Sequence, residues 1–335
     1  MIESVQFKNF KALRNTTLPL DRFTLLIGPN ASGKSTALQA IKAAPDPASR
    51  PYDEVVSAGL GREAVVETVT NFRQPYDQIS LRSVWRYGDR PFSQYTSASP
   101  DRSAIAVPGE LIEILRRIRL YSLDAQLIAA PSQLRKGVEL SHNGAGLVVV
   151  LDQLRDDHPE RFEAINEAMN QWMPEFDRIL FETPGEGQRA FLLRTSRGKH
   201  SIPAASLSQG ALLALAMLTL SYLPDPPSIV CLEEPDRGVH PRLLRDVRDA
   251  LYRLSYPENY DEDRAPVQVI ATTHSPYLLD LYRDYPEHIV IADKTEQGVR
   301  FERLADQPHI DEILRDSHLG DVWYTGVLGG VPAHV

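Results

Sequence analysis

The sequence predicts an α/β protein: a mostly parallel sheet covered by helices, with an antiparallel β subdomain and an inserted helical region. Three observations carry that expectation. The short apolar runs FTLLI, IVCL, VQVIA and IVIA have the length and unbroken hydrophobicity of strands buried on both faces. Helical patterns alternate with several of them. Two stretches then break the alternation: 64–95 is β-rich and cut by turn formers, and 110–175 reads as mainly helical.

Taken in order, residues 2–10 alternate (Ile2, Val5, Phe7, Phe10) as a half-buried strand does, and Phe23 to Ile27 form a second strand. Ser35 to Ala43 suit a helix that PDP at 45–47 stops. VVETVTNF and ISLRSVWRY read as antiparallel strands, and 96–109 as a loop. Leu147, Leu151, Leu154, Phe162, Ile165 and Met169 recur at helical spacing, and ILFE and RAFLLRT return to β. QGALLALAMLTLSY is an apolar helix at 209–222, and Pro241 opens an amphipathic one through Leu254. PENYDEDRAP reads as an acidic surface loop. Residues 1–50 and 201–335 are expected to form a discontinuous core, with 51–200 inserted into it.

The bulk numbers narrow the function classes. A chain of 335 residues with 42% apolar and 24% charged residues supports a sizeable core and excludes general disorder. A net charge of −9 argues against a surface coated to grip nucleic acid, though not against a local basic patch. One cysteine, Cys231, sits inside an apolar run and fits a small core residue in a reducing cytoplasm. The N-terminus has no signal-peptide pattern, and no apolar run approaches a membrane span.

Chemistry enters at Gly28-Pro29-Asn30-Ala31-Ser32-Gly33-Lys34-Ser35, which matches G-x-x-x-x-G-K-[ST] between a strand and a helix. Its glycines let backbone N–H groups approach phosphate oxygens, and the helix N-terminus adds a favourable dipole. Lys34 would reach the β- and γ-phosphates, and Ser35 would place its hydroxyl on Mg²⁺. Such a site needs a strand-end carboxylate for the Mg²⁺ shell and a second group for the attacking water. Glu233 and Glu234, ending the run IVCL, can supply both. Ser206-Leu207-Ser208-Gln209-Gly210 heads the apolar helix, where a cap and an anion site are both open readings. His274, in ATTHSP, stands at a strand end about 40 residues later and suits a γ-phosphate sensor.

In that order, these motifs resemble an ATP-binding-cassette-type ATPase head, a P-loop NTPase fold. More narrowly, Glu-Glu-Pro followed by His240-Pro241, and Thr-His-Ser-Pro, are similar to the OLD-like branch of the SMC/RecF/OLD group, which includes bacterial defence ATPases. The resemblance implies two heads sandwiching two ATP molecules, each site joining one subunit's P-loop to the other's signature helix. Carried over, Gly28 to Thr36 bind the phosphates with Mg²⁺. Ser208 and Gly210 touch the partner's γ-phosphate. Glu233 is the Mg²⁺-side acid, Glu234 the catalytic base and His274 the switch residue. Asp236 falls where a loop linking the two sites is expected; Phe10 and Lys11 are candidates for the adenine face or for the core, and Gln74 and Gln78 for a Q-loop. ATP rather than GTP comes from the resemblance alone.

Long coiled coils and a Cys-x-x-Cys hook are absent, no second acidic cluster of the Toprim kind follows, and the acidic pair is Glu-Glu rather than the Asp-Asp of RecF. The leading expectation is therefore a cytoplasmic homo-oligomeric ATPase, a dimer or larger, controlling a separately encoded effector such as a nuclease in anti-phage defence. The alternative is a DNA-binding clamp for repair, with Arg116, Arg117, Arg119 and Arg135 lining a groove. A transporter's ATPase fits the signature and Glu-Glu pair poorly, and no membrane partner is expected.

Overall fold

A computed structural model describes residues 1–97, 107–295, 298–326 and 328, without the side chains of residues 311 and 316. Its strands are β1 (Ile2–Phe10), β2 (Leu13–Pro19), β3 (Phe23–Ile27), β4 (Val66–Phe72), β5 (Ile79–Trp85), β6 (Phe92–Ser97), β7 (Ile118–Tyr121), β8 (Ser132–Gln133), β9 (Phe176–Glu182), β10 (Gln188–Thr195), β11 (Ser201–Pro203), β12 (Ile229–Leu232), β13 (Gln268–Thr272), β14 (Ile289–Thr295) and β15 (Gly298–Arg303).

The chain divides into two units. The first comprises residues 1–120, 227–231 and 266–335; the second comprises 121–226 and 232–265. In the first unit, β2-β1-β4-β5-β6 form an antiparallel sheet, and β15-β14-β3-β13-β12-β7 form a six-stranded one. β3 pairs in parallel with β13 (Val269 opposite Phe23) and with β14 (Ile289 opposite Leu25). All five residues of β3 and of β13 are buried, which is why their sequences are apolar without alternation. Phe7, Phe10, Leu26, Leu38, Ile41, Trp85, Cys231 and Ile270 share one core. Gln268 is fully buried there: its amide accepts from Ile2 N at 2.8 Å and donates to the carbonyls of Ile2 (2.7 Å) and Asp21 (2.9 Å), so no polar atom of it is stranded.

The second unit is mainly helical, with β10 paired to β8, β9 and β11. Its central helix, Gln209–Ser221, is buried from Gly210 onward, as an all-round apolar helix must be. It packs on the helices Leu244–Ser255 and Ala125–Ala129.

The boundaries expected at 51 and 200 are not where the units part. β4 hydrogen-bonds directly to β1, so the antiparallel strands belong with the P-loop rather than with the helical region. Residues 201–226 and 232–265 go with the helical unit, because their apolar faces pack there. Strands that escaped the pattern include β2, whose LRNTTLP is largely polar, β7, four residues inside a stretch read as helical, and β15, which pairs antiparallel with β14. The loop expected at 96–109 lies partly outside the described residues, and so does the end of the chain after residue 326 apart from residue 328. The described residues beside these include the helices Gly109–Arg116 and Leu319–Tyr324.

Candidate nucleotide-hydrolysis site

The P-loop leaves the end of β3 and enters the helix Lys34–Ala43, one residue from the helix start expected at Ser35. Its path is possible only with glycine. Gly28 has φ +146°, and a Cβ there would lie 2.2 Å from the Ala292 carbonyl oxygen on β14. Gly33 has φ +87°, and a Cβ would lie 2.8 Å from a Leu13 methyl. Ala31 also takes a left-handed φ of +61°. The helix has no side-chain cap, so its first N–H groups and positive dipole end face the loop, as phosphate binding requires.

Lys34 is buried, and its ammonium donates to the carbonyls of Gly28 at 2.8 Å and Pro29 at 2.9 Å. The loop thus holds the cation at its own mouth, while the Ser35 side chain is exposed. Among the described residues no group of three or more His, Cys, Asp or Glu forms a metal cage. In phosphate sites Mg²⁺ is held instead by a hydroxyl or a carboxylate together with phosphates and water. Ser35 and Glu233 are residues of the right kind.

His274 lies on the same sheet edge as the P-loop, because β13 runs parallel to β3. Thr273 N–H donates to the Leu26 carbonyl at 3.1 Å, one residue before Ile27 and Gly28. The buried Thr273 hydroxyl accepts from Ser275 N at 2.9 Å, and Ser275 caps the turn that follows. His274 is therefore fixed, half-buried, at the strand end.

The remaining candidates belong to the second unit. Glu233 and Glu234 follow β12 directly, and Glu233 N–H donates to the Tyr121 carbonyl at 2.8 Å. Glu234 has φ +45°, left-handed for a residue with a Cβ. It also precedes Pro235, a position that favours extended backbone. Strain at such a place marks a constrained carboxylate. Ser208 is exposed and caps the helix Gln209–Ser221, its Oγ accepting from Ala211 N at 3.2 Å. Gly210 is required by packing: a Cβ there would lie 2.6 Å from the Gly238 carbonyl. A Cβ on Gly238, at φ +73°, would in turn lie 3.0 Å from the Gln209 side chain. The head of the signature helix and the loop after the acidic pair interlock through these two glycines.

The secondary candidates resolve unevenly. Phe10 is a core residue, buried and edge-on to Trp85 at 5.6 Å, and Lys11 donates to Gln39 at 2.9 Å. Gln78 bonds its exposed neighbour Asp77. Arg116, Arg117 and Arg119 fall in the first unit and Arg135 in the second; Arg116 pairs with Glu113 at 2.7 Å, and Arg119 bonds backbone carbonyls. Asp236 is half-buried in the loop after Glu234. Sequence reasoning did not single out Ser122, which follows the short β7 directly after Tyr121, the residue whose carbonyl accepts from Glu233 N–H.

Comparison with known proteins agrees with this chemistry. A family model described as "AAA domain, putative AbiEii toxin, Type IV TA system" matches residues 90–280, and an "AAA ATPase domain" model matches residues 1–58, which include the P-loop. An OLD nuclease from Thermus scotoductus is 23% identical over 368 residues, covering 96% of this chain and 68% of that protein. The SMC head domain from Thermotoga maritima superposes with a TM-score of 0.50 at 15% identity, covering 90% of this chain and 98% of that one. The fold expected from the sequence is the one observed. No helix among the described residues is long and apolar enough to cross a membrane.

Proposed function

The chain belongs to this AAA domain family and is an ATPase of the OLD-like and SMC-like type; from that premise we propose that it is a Mg²⁺-dependent ATPase subunit that pairs head to head around ATP and controls a separately encoded effector, a nuclease in anti-phage defence. The observation that carries the hydrolytic part is the glycine-built cradle of residues 28–35, with a buried lysine aimed at its own loop mouth. Gly28 to Thr36 bind the phosphates through backbone N–H groups and Lys34. Ser35 and Glu233 would hold Mg²⁺, which would supply charge neutralisation for the transferred phosphate.

Glu234 removes a proton from the attacking water, and His274 contacts the γ-phosphate from its strand end. Ser208 and Gly210 present the start of their helix to the γ-phosphate bound by a second copy. The effector reading is supported by the full hydrolytic motif set and by the name of the relative, a nuclease. A DNA clamp finds less support, since at least Arg116, Arg117 and Arg119 already have partners within the protein.

The test is affinity purification of tagged Glu234→Gln protein from its native cell, alongside an ATPase assay. Abolished turnover and a stoichiometric nuclease-like companion are expected. Wild-type turnover in Glu234→Gln overturns the assigned base. DNA alone, with no protein companion, replaces effector control with the clamp.

A further inference from the structure

Within the second unit, a cavity of about 80 Å³ opens beside the acidic pair. It is lined by Glu233, Glu234 and Arg237, by Leu123, Leu213 and Pro235, and by the exposed Ser122. Its volume suits on the order of two or three water molecules at about 30 Å³ each. Backbone hydrogen bonds fix the walls. Glu233 N–H donates to the Tyr121 carbonyl and Ser122 N–H to the His142 carbonyl, both at 2.8 Å, so the Tyr121–Ser122 and Glu233–Glu234 steps are held side by side. The Ser122 hydroxyl makes no hydrogen bond among the described residues, while the neighbouring carboxylate step is held in a left-handed turn. A hydroxyl, two carboxylates and a guanidinium beside two leucines and a proline form a polar, partly open site that can orient one water.

We propose that this cavity is the water pocket of the ATPase reaction and that Ser122 holds the attacking water for Glu234. The inference rests on the ATPase reading above. The water accepts a hydrogen bond from the Ser122 hydroxyl or donates one to it, and donates its other hydrogen to Glu234. As the water oxygen bonds to the γ-phosphorus, its proton passes to the Glu234 carboxylate. The bond between the γ-phosphorus and the bridging oxygen breaks, and its electron pair stays on ADP. The products are ADP and inorganic phosphate, and the proton on Glu234 returns to solvent. Ser122 exchanges no atom; it fixes the water's position.

The experiment compares wild type, Ser122→Ala, Ser122→Thr and Glu234→Gln as full chains with ATP and Mg²⁺. It measures kcat, KM and, in a separate binding titration, ATP affinity. Ser122→Ala should lower kcat about tenfold, the size of one lost positioning hydrogen bond, with KM and ATP affinity unchanged. Ser122→Thr, which keeps a hydroxyl, should retain most of the rate. Wild-type kcat in Ser122→Ala overturns the proposal, as does a Ser122→Thr enzyme as slow as Ser122→Ala. A fall in ATP affinity that accounts for the lost rate overturns it too, because Ser122 would then bind substrate. An active wild type with an inactive Glu234→Gln keeps the ATPase reading whatever Ser122 does; an inactive wild type removes both.

Discussion

Glu234 holds its left-handed backbone at a cost, and the cost can be measured. A residue with a Cβ at φ +45° is strained by about 1–2 kcal/mol relative to its ordinary conformation, and Pro235 on its C-terminal side adds to the conflict. Glycine escapes that strain but loses about 0.4–1 kcal/mol more than alanine through unfolded-state entropy. The difference favours Glu234→Gly over Glu234→Ala by about 0.8 kcal/mol, the reverse of the order at an ordinary position. Both variants lack the carboxylate, so the comparison isolates the backbone. Urea unfolding followed through Trp172, the one tryptophan in the second unit's sequence, reads it. Both variants should also lose ATP turnover by about 10²–10⁴-fold, the usual weight of a catalytic base. An alanine variant more stable than the glycine variant would refute the strain argument, and an alanine variant with substantial turnover would refute the base assignment.

Two further outcomes follow from the geometry. Gly28→Ala forces a Cβ to within 2.2 Å of the Ala292 carbonyl at a φ of +146°, so ATP affinity should fall at least 100-fold in a nucleotide-binding titration, with a lower melting temperature. In the second unit, Glu262 is half-buried, with its side chain 7% exposed, and bonds Arg253 and Arg264, each with a 2.5 Å closest contact. Burial alone would raise its carboxyl, but the Arg264 hydrogen bond and the Arg253 charge outweigh burial and hold the pKa below the usual value. A depressed folded-state pKa means this stabilisation is present above the unfolded carboxyl pKa and lost as pH falls through the folded one. Glu262→Gln should therefore cost about 1–3 kcal/mol near pH 7, with the gap to wild type closing below about pH 4 in denaturation curves across that range.

The legible parts of the site are the local ones. Residues 28–35 bind through their own backbone, so eight contiguous letters describe the cradle, and the apolar run before Glu233 announces a strand ending in charge. Ser122 carries no comparable signal, because its relevance comes from Tyr121 pairing with Glu233 more than 100 positions away. The acidic stretch 257–266 reads as a solvated loop, yet the Glu262 side chain is largely buried in it because Arg253 and Arg264 neutralise the carboxylate there. β2 was missed because a polar edge strand has neither an apolar run nor clean alternation, and its hydrogen bonds come from β1.

By itself the sequence determined the α/β class, the phosphate-binding loop, the order of the acidic and histidine motifs and the all-apolar central helix. Each is written in neighbouring residues or in helical and strand periodicity. Tertiary structure alone decided where the units divide, why Gly210 cannot carry a side chain, that Glu234 sits in a left-handed turn before a proline, and which serine lines the cavity beside it. Those facts depend on hydrogen bonds and close approaches between segments far apart in the chain, and no local pattern records them.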